Sequence, residues 1–379
     1  APPTRSSISH ARNPRAPPTQ SENGDYLMTS KTVSPVETLR RQATRATHRI
    51  HSLPQLVLMP HSRCNCRCVM CDIWQANAVK NELSREDLEH QMPALRNLHV
   101  QRVVLSGGEA LMHQNLWLLC ELLRELNPDL QITLLSTGLL LKVFATDIVR
   151  WCDEVIVSID GSRETHNAVR RVPRAFERLA EGIQALHEQR TDYPVSARCV
   201  LQRTNFRDLP QIIEAAHAIG LSRISFMSAD VSSTAFNRPE PWQEPRISEV
   251  ALDAAETEEF KVIVDEVIER FASDFDSRFI SESPDKLRRL PRYYAALNGL
   301  GDLPETMCNA PWVSSVVEAD GTVRPCFFHK ALGNIHEQPL DAILNSPEAV
   351  TFRRDLDIKT NPICKACVCT LSLGRRSPA

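Results

Sequence analysis

Residues 61–74 read His61-Ser-Arg-Cys-Asn-Cys-Arg-Cys-Val-Met-Cys-Asp-Ile-Trp74, and this cysteine loop is the stretch that decides the fold. Cys64, Cys68 and Cys71 follow the spacing C-x3-C-x2-C, with Cys66 as an extra thiol among them. A tight loop with this spacing can aim three thiolates at one face of an iron–sulfur cubane, which leaves the fourth iron free for a small molecule. A zinc site is the alternative, but structural zinc sites usually have a second C-x2-C pair nearby, and here that pair lies about 300 residues away.

Short apolar strands alternate with helical patterns along residues 53–228. The strands are predicted over 53–59, 102–106, 131–135, 154–158, 195–201 and 223–227. The helices between them are predicted over 83–98, 116–126, 175–187 and 209–218. Six β-then-α units predict an α/β fold with a parallel sheet and right-handed crossovers, closed or nearly closed as a partial TIM-like (β/α)6 barrel.

Polar residues follow several of these strands, at the edge where ligands bind in such barrels. Gly107-Gly108-Glu109 follows the second strand, Ser136-Thr137-Gly138 the third, and Ser158 and Asp160 the fourth. The two glycines allow a close backbone approach to a ligand, and the carboxylate beside them can accept hydrogen bonds from an ammonium group. Arg198 lies in the fifth strand, where an inward-pointing cation requires an anionic partner.

A second group of cysteines near the C-terminus predicts another metal centre. Cys308 and Cys326 bracket a β-hairpin, which is indicated by Asp320-Gly321 between β-branched runs. The chain then forms a predicted helix near 340–345 and reaches Cys364-Lys-Ala-Cys367-Val-Cys369. Two cysteines around a hairpin and a C-x2-C pair can hold one centre with four protein ligands, either zinc or an iron–sulfur cluster. Residues 308–379 are therefore expected to form a small hairpin-plus-helix domain that holds a metal centre.

Together these motifs, which cover roughly residues 53–370, resemble the radical S-adenosylmethionine (SAM) enzymes that carry a C-terminal twitch domain, the one-cluster relative of the SPASM domain. The resemblance implies a [4Fe–4S] cluster on Cys64, Cys68 and Cys71, with SAM on the open iron. It implies an auxiliary [4Fe–4S] cluster whose ligands are Cys308, Cys326, Cys364 and Cys367, with Cys369 as the alternative to Cys367. It also implies that the SAM-binding residues are Gly107, Gly108, Glu109, Thr137, Ser158, Asp160 and Arg198.

The hairpin cysteines and the closing C-x2-C resemble in particular the aminocyclitol dehydrogenases of this superfamily. The resemblance implies that reduced flavodoxin or ferredoxin supplies an electron and that SAM yields a 5′-deoxyadenosyl radical, which takes a hydrogen atom from the substrate. The expected reaction is oxidation of a secondary alcohol on a small polar natural-product intermediate, such as an aminocyclitol or a sugar. Radical epimerisation and peptide modification are alternatives, and a non-catalytic metal-binding scaffold is the alternative of a different class.

The segment 229–307 is predicted to be a linker with helices between the barrel and the cluster domain. Apolar residues repeat with helical spacing over 260–271, and a Pro-rich loop covers 238–245. We expect the substrate pocket between the barrel mouth and the cluster domain, with walls from the strand ends and from residues 228–245. An amino-bearing substrate requires carboxylates there, and the candidates are Asp230, Glu240 and Glu244, unless these are solvated loop charges.

Composition argues against other classes of protein. The 379 residues carry a net charge of −3, whereas a nucleic-acid-binding protein would favour a basic face. No run of about 18 apolar residues predicts a membrane span, and no apolar core of a signal peptide is evident. The twelve cysteines therefore indicate metal binding in a reducing cytoplasm, not disulfides. Residues 1–35 are expected to be disordered and 36–51 to form a surface helix.

Overall fold

The computed structural model describes residues 34–373, so nearly all of the expected disordered segment 1–35 lies outside the described residues. Its strands are β1 (Gln55–His61), β2 (Arg102–Gly107), β3 (Gln131–Ser136), β4 (Glu154–Ser158), β5 (Val195–Leu201), β6 (Arg223–Ser228), β7 (Ser314–Val317), β8 (Thr322–Arg324) and β9 (Gly333–Asn334). They form one sheet in the order β6–β5–β4–β3–β2–β1–β7–β8–β9. The first six strands are parallel neighbours in chain order, which confirms the predicted α/β partial barrel.

Helices cover the outer face of the parallel strands. In chain order the described residues form α1 (Pro35–Thr47), α2 (Arg85–Asn97), α3 (Leu116–Leu126), α4 (Leu141–Trp151), α5 (Arg163–Arg170), α6 (Ala175–Gln189), α7 (Leu209–Ala218), α8 (Arg246–Val250), α9 (Ala254–Arg270), α10 (Ala272–Asp276), α11 (Pro284–Leu287), α12 (Arg289–Leu297), α13 (Ala310–Val313), α14 (Leu340–Leu344), α15 (Pro347–Asp355) and α16 (Pro362–Lys365). Helix α2 begins with the predicted capping box, in which Ser84 and Asp87 satisfy each other's backbone N–H groups.

Strand residues alternate between two cores. Leu56 and Leu58 of β1 belong to the large core shared with the helices. Val57, Val104 and Val316 form a separate small cluster on the opposite face of the sheet, inside the barrel. This alternation follows from the two-residue repeat of a strand, and it leaves the strand ends as the place where polar side chains meet.

The C-terminal domain joins the barrel through the sheet itself. Strand β7 pairs in parallel with β1, so that Leu56 lies opposite Ser315 and Leu58 opposite Val317. Strands β7 and β8 form the predicted hairpin, and Gly321 at its turn has a φ of 84°. The hairpin is confirmed, whereas its pairing with β1 was not predicted, because it joins segments far apart in the sequence.

The segment 229–307 forms helices that pack on the β6 side of the barrel. Helix α9 begins with a capping box between Asp253 and Glu256, and it buries Phe260 and Val264. The Phe260 ring centroid lies 6.5 Å from that of Tyr294 in α12, and α12 in turn packs on β6. The predicted amphipathic helix is therefore confirmed, and it anchors α12 against the barrel.

Candidate active site

The cysteine loop follows β1 and docks on the C-terminal end of α5. The backbone N–H of Arg67 donates to the carbonyl of Arg170 at 3.1 Å, and the N–H of Val69 donates to the carbonyl of Val169 at 3.0 Å. These bonds use carbonyl groups that a helix leaves unpaired at its C-terminus. Helix α5 thus positions the cysteine loop, although nothing in the sequence of the loop indicates this contact.

Gly107 and Gly108 hold the other side of the cysteine loop. A Cβ added at Gly108 would lie 2.2 Å from the Arg63 carbonyl oxygen, and one at Gly107 would lie 2.7 Å from that of His61. The Glu109 N–H donates to the Arg63 carbonyl at 2.9 Å. The glycines were predicted to allow close approach of a ligand, but in the structure they allow close approach of the cysteine loop.

The four thiols of the loop differ in their surroundings. Cys66 and Cys68 are buried, whereas Cys64 and Cys71 are half-buried. Hydrogen bonds to the sulfurs of Cys64 and Cys68 raise the pKa of Cys66, while the hydrogen bond from Cys66 lowers the pKa of Cys68. Burial raises the pKa of Cys71 to about 12. The surroundings therefore favour the thiolate, the form that binds metal, at Cys68 more than at Cys66.

A buried guanidinium faces that thiolate. Arg170 donates from Nη1 to the Cys68 sulfur at 3.4 Å and forms an ion pair with Asp160. Asp160 is 0% exposed and also accepts from the backbone N–H of Val200 at 3.0 Å. In this structure the Asp160 side chain reaches no open space and orients Arg170 toward the cysteine loop. Its contact with SAM stays a prediction.

Glu109 is likewise turned into the protein. Its carboxylate is 1% exposed and accepts from the Thr137 hydroxyl at 2.6 Å, the Thr137 N–H at 2.7 Å, the Ser136 hydroxyl at 3.1 Å and the Leu111 N–H at 3.2 Å. A carboxylate has about four acceptor positions, so these donors fill it. Burial raises the pKa of Glu109. In this structure the carboxylate therefore braces the turn after β3, and its contact with the amino group of SAM stays a prediction.

The other predicted SAM residues lie at the expected edge. Thr137 donates to Glu109 and lies 2.9 Å from the Asn65 side-chain oxygen, which ties this turn to the cysteine loop. Ser158 is half-buried at the end of β4 and lies opposite Arg198 in the sheet. Their contacts with SAM stay predictions.

The segment after β6 clamps the far end of the cysteine loop. The Trp242 indole N–H donates to the Asp72 carboxylate at 2.5 Å, directly beside Cys71. The Arg238 guanidinium lies 3.8 Å from the Trp242 ring centroid and donates to the Met70 carbonyl at 3.4 Å. The Pro-rich loop was predicted as a wall of the substrate pocket, and it instead covers the cysteine loop.

The three carboxylates predicted to bind an amino-bearing substrate are not arranged for that role. Asp230 is buried and forms an ion pair with Arg238 at 2.7 Å. Glu240 is exposed, and Glu244 is exposed and accepts from the Ser248 hydroxyl. None of them lines the cavity described below, because Asp230 pairs internally and the other two face solvent. Their binding of an amino-bearing substrate stays a prediction that this arrangement does not favour.

The C-terminal cysteines converge around the β7–β8 hairpin. Burial raises the pKa of Cys326 to about 11 and that of Cys364 to about 12, and each is raised further by the charge of Cys308. Burial and the neighbouring Cys369 raise the pKa of Cys367, whose thiol donates to the Cys369 carbonyl at 2.9 Å. These thiols are near enough to affect one another's pKa. Their role as the four ligands of an auxiliary cluster, with Cys367 or Cys369 as the fourth, stays a prediction.

A cavity of about 820 Å³, including its open mouth, lies between the barrel and the C-terminal domain; we call it the central cavity. Arg198, Ser225 and Ser228 line it from β5 and β6, and Cys367 and Cys369 line it from the cluster domain. The third wall comes from residues 282–293 and includes Glu282, Lys286, Arg289, Leu290 and Tyr293. The pocket lies between the barrel strands and the cluster domain as predicted, but α11 and α12 replace the Pro-rich loop as its wall.

Several residues of the site had no sequence signal. Arg170 lies among other arginines in a polar helix, and Tyr293 and Tyr294 lie next to each other with nothing to distinguish them. Lys286 and Arg289 belong to a segment that reads as a linker. A helical-wheel pattern for α12 could have placed Arg289 and Tyr293 on one face, since they are four residues apart.

Residues 58–216 match the family model of the Radical SAM superfamily, and residues 308–368 match that of SPASM, an iron–sulfur cluster-binding domain. The chain carries a radical SAM domain followed by a SPASM domain. The cofactors of such domains are a [4Fe–4S] cluster and SAM in the barrel and iron–sulfur binding in the C-terminal domain, as predicted. Radical SAM chemistry is thereby supported, whereas the finer resemblance to aminocyclitol dehydrogenases is not established.

Curated relatives of the radical SAM domain include two proteins of Methanosarcina barkeri (strain Fusaro / DSM 804). The chain is 28% identical over 162 residues to the AdoMet-dependent heme synthase, an alignment that covers 41% of this chain and 45% of that protein. It is 25% identical over 311 residues to Fe-coproporphyrin III synthase, which covers 76% of this chain and 73% of the relative. The chain thus spans about half the length of the first relative.

Solved structures of Streptococcus suis SuiB share the fold. SuiB bound to S-adenosylmethionine aligns with a TM-score of 0.59 at 14% identity, covering 88% of this chain and 76% of SuiB. SuiB bound to the precursor peptide SuiA aligns with a TM-score of 0.60, also at 14% identity, covering 93% and 79%. In residues 34–373 no helix has the length and apolar character needed to span a membrane.

Proposed function

We propose that this chain is a radical SAM oxidoreductase that removes a hydrogen atom from a small polar molecule in the central cavity and oxidises it by two electrons. The observation that carries the proposal is the position of the cavity. The same space is lined by barrel strands and by Cys367 and Cys369 of the cluster domain. A molecule bound there can be addressed from both redox-active domains.

The donor sets fit the clusters that the domains imply. Cys64, Cys68 and Cys71 are the proposed ligands of the first cluster, and the Arg170 guanidinium donates to the Cys68 sulfur at 3.4 Å. Three cysteines leave one iron of a cubane free, which is where SAM would bind.

The proposed auxiliary ligands are Cys308, Cys326 and Cys364, with either Cys367 or Cys369. His329 lies beside them, with its Nε2 at 3.3 Å from the Cys364 sulfur. A histidine at this position is suited to hydrogen bonding with a ligand sulfur, which is one of the ways in which proteins tune iron–sulfur clusters.

When bound, the first cluster with SAM supplies the 5′-deoxyadenosyl radical, and the auxiliary cluster supplies an electron acceptor beside the cavity. The chain's own residues bind the substrate, limit access of water and take up the proton. Glu282 is the proposed base: it is buried in the cavity wall, and burial raises its pKa, which improves it as a proton acceptor. Loss of a hydrogen atom, an electron and a proton from a carbinol gives a ketone.

Product mass tests this proposal. The reconstituted enzyme is incubated anaerobically with SAM, dithionite and a panel of sugars, sugar acids, sugar phosphates and cyclitols. We expect 5′-deoxyadenosine together with a product lighter by two hydrogens. Cys326→Ser should lower iron from about eight to about four per chain and keep SAM cleavage, yet lose the oxidised product. Absence of SAM cleavage by the wild-type enzyme would instead support a non-catalytic scaffold.

One observation favours epimerisation as the second candidate. Cys367 and Cys369 both line the central cavity, and a four-ligand cluster needs only one of them. The other thiol is then placed to return a hydrogen atom to the substrate radical. A product of unchanged mass that takes up deuterium from heavy water would identify this reaction. Cys369→Ser would then keep its iron and lose epimerisation, whereas Cys367→Ser would lose iron.

A further inference from the structure

The central cavity is rich in positive charge. Arg198, Lys286, Arg289 and Lys365 line it, against the single carboxylate of Glu282. Within the described part of the chain, no carboxylate lies within ion-pair distance of Lys286, Arg289 or Lys365. Arg289 donates only to a backbone carbonyl, that of Glu305. Glu282 lies near Lys286 and Arg198, and Glu305 lies near Arg289, so the cations outnumber the nearby acids. An excess of cations in a partly buried space favours binding of an anion.

Two hydroxyl groups in the same cavity lack partners. The Tyr293 hydroxyl and the Ser228 hydroxyl are buried and form no hydrogen bond in the structure. Tyr293 is 6% exposed and Ser228 3% exposed, and both line the cavity. The adjacent Tyr294 shows the contrast, because its hydroxyl donates to the Leu201 carbonyl at 2.5 Å and accepts from the Ala229 N–H at 2.9 Å. Buried hydroxyls are normally paired, so unpaired hydroxyls on residues that line the cavity favour a ligand with acceptor atoms.

We propose that the central cavity binds a substrate bearing a carboxylate or phosphate group, with Arg289 and Lys286 holding the anion and Tyr293 and Ser228 donating hydrogen bonds to its oxygens. This inference rests on the proposed function, since it names the substrate class of the same site. Burial raises the pKa of Tyr293, which keeps the phenol protonated as a donor at neutral pH. An amino-bearing substrate, by contrast, would meet like charges.

Three pyranoses that differ in one substituent test the charge preference. Glucuronate carries a carboxylate, glucose 6-phosphate a phosphate, and glucosamine an ammonium. Calorimetric titration of the cluster-reconstituted enzyme should show binding of at least one anion and none of glucosamine. Binding of glucuronate alone indicates a carboxylate substrate, and binding of glucose 6-phosphate alone indicates a phosphate. If neither anion binds, or if glucosamine binds at least as tightly, the inference is overturned.

Variants of neighbouring residues test which side chains hold the anion. Arg289→Gln and Lys286→Gln should each raise the Kd of the bound anion about tenfold, because hydrogen bonds to charged groups are worth about 1.5–3 kcal/mol. Arg288→Gln is the control, because the neighbouring Arg288 pairs with Asp265 on α9 and does not line the cavity. Equal effects of Arg288→Gln and Arg289→Gln would reject the proposed site.

The Tyr293→Phe variant distinguishes an effect on anion binding from an effect on folding. Removal of an unpaired buried hydroxyl should leave the melting temperature of the ligand-free enzyme unchanged or raise it, while anion binding weakens. A variant that loses stability but keeps its affinity contradicts the assignment. Formation of 5′-deoxyadenosine is measured in parallel. Anion binding without SAM cleavage would support an anion-binding cavity and reject the proposed function. SAM cleavage without anion binding would support the proposed function and reject an anion-binding cavity.

Discussion

At the scale of single residues, the contact that matters most for the chemistry is between Arg170 and the Cys68 sulfur. The guanidinium is buried, donates to the proposed ligand at 3.4 Å and is balanced by Asp160 behind it. Hydrogen bonds and nearby charge at the ligand sulfur are among the main determinants of the reduction potential of an iron–sulfur cluster. Asp160 and Arg170 thus form a pair whose two members act on the cluster in opposite directions.

Substitutions that remove opposite charges should shift the reduction potential of the cluster in opposite directions. Arg170→Gln removes a positive charge that favours the reduced cluster, so its midpoint potential should become more negative. Asp160→Asn removes the opposing negative charge, so the potential should rise. Arg171→Gln, at the exposed neighbouring position, is the control and should leave it unchanged. Redox titration followed by electron paramagnetic resonance measures each value, and shifts in the same direction for the first two variants would mean that they only loosen the loop.

The residue types in the sequence predicted which side chains gather at this edge of the barrel, but they did not predict what each side chain contacts. Gly108, Glu109 and Asp160 do cluster beside the cysteine loop, as their positions after the strands indicated. Their partners could not be predicted, because Arg63 and Arg170 are brought to them by the fold. A carboxylate after a strand binds a ligand or braces a loop, and only burial and its donors distinguish the two.

At the scale of elements, the segment after β6 stabilises the cysteine loop. Trp242 donates to Asp72, and Arg238 stacks on Trp242 and pairs with Asp230. Asp72 directly follows Cys71 in the chain, so this clamp fixes the end of the loop that carries the third proposed ligand. The arrangement explains why the segment is Pro-rich and buried in part without lining the substrate cavity.

Removal of the indole N–H should therefore weaken retention of the cluster. Trp242→Phe keeps an aromatic ring but leaves Asp72 without this donor, at a cost of about 1–3 kcal/mol for an unsatisfied buried group. Iron should be lost to a chelator faster than from the wild-type enzyme. Trp117→Phe, on α3 beside Phe144, is the matched control. Equal rates of iron loss from both variants would exclude a role for the clamp.

Most helices and strands could be predicted from the local sequence, whereas the pairing of segments far apart in the chain could not. Strands β1, β2 and β4 have short continuous apolar runs that predict buried parallel strands, and the capping residue Ser84 predicts the start of α2. Nothing in the run 314–317 indicates that β7 pairs with β1, because strand pairing depends on the whole chain. Helices α11 and α12 lie in a segment whose sequence resembles a linker, so they were not predicted individually.

At the scale of the whole molecule, the continuous sheet joins the cysteine loop and the cluster domain to one barrel. Strand β7 leads from Cys308 into the sheet beside β1, and β1 leads directly to the cysteine loop. The cluster domain is therefore attached to the barrel through backbone hydrogen bonds as well as through the linker. The cationic side chains of the central cavity come from β5, α11, α12 and α16, and so no single stretch of sequence could have predicted the proposed preference for an anion.

The central claim is that the loop 64–71 supports radical SAM chemistry through Cys64, Cys68 and Cys71, with Cys66 as a bystander. The most direct measurement is 5′-deoxyadenosine formed from SAM by anaerobically reconstituted Cys66→Ala and Cys68→Ala enzymes under dithionite. Both thiols are buried in the same loop, two residues apart, so the two variants are a matched pair. The account predicts that Cys66→Ala cleaves SAM and Cys68→Ala does not, whereas loss in Cys66→Ala with activity kept in Cys68→Ala would contradict it.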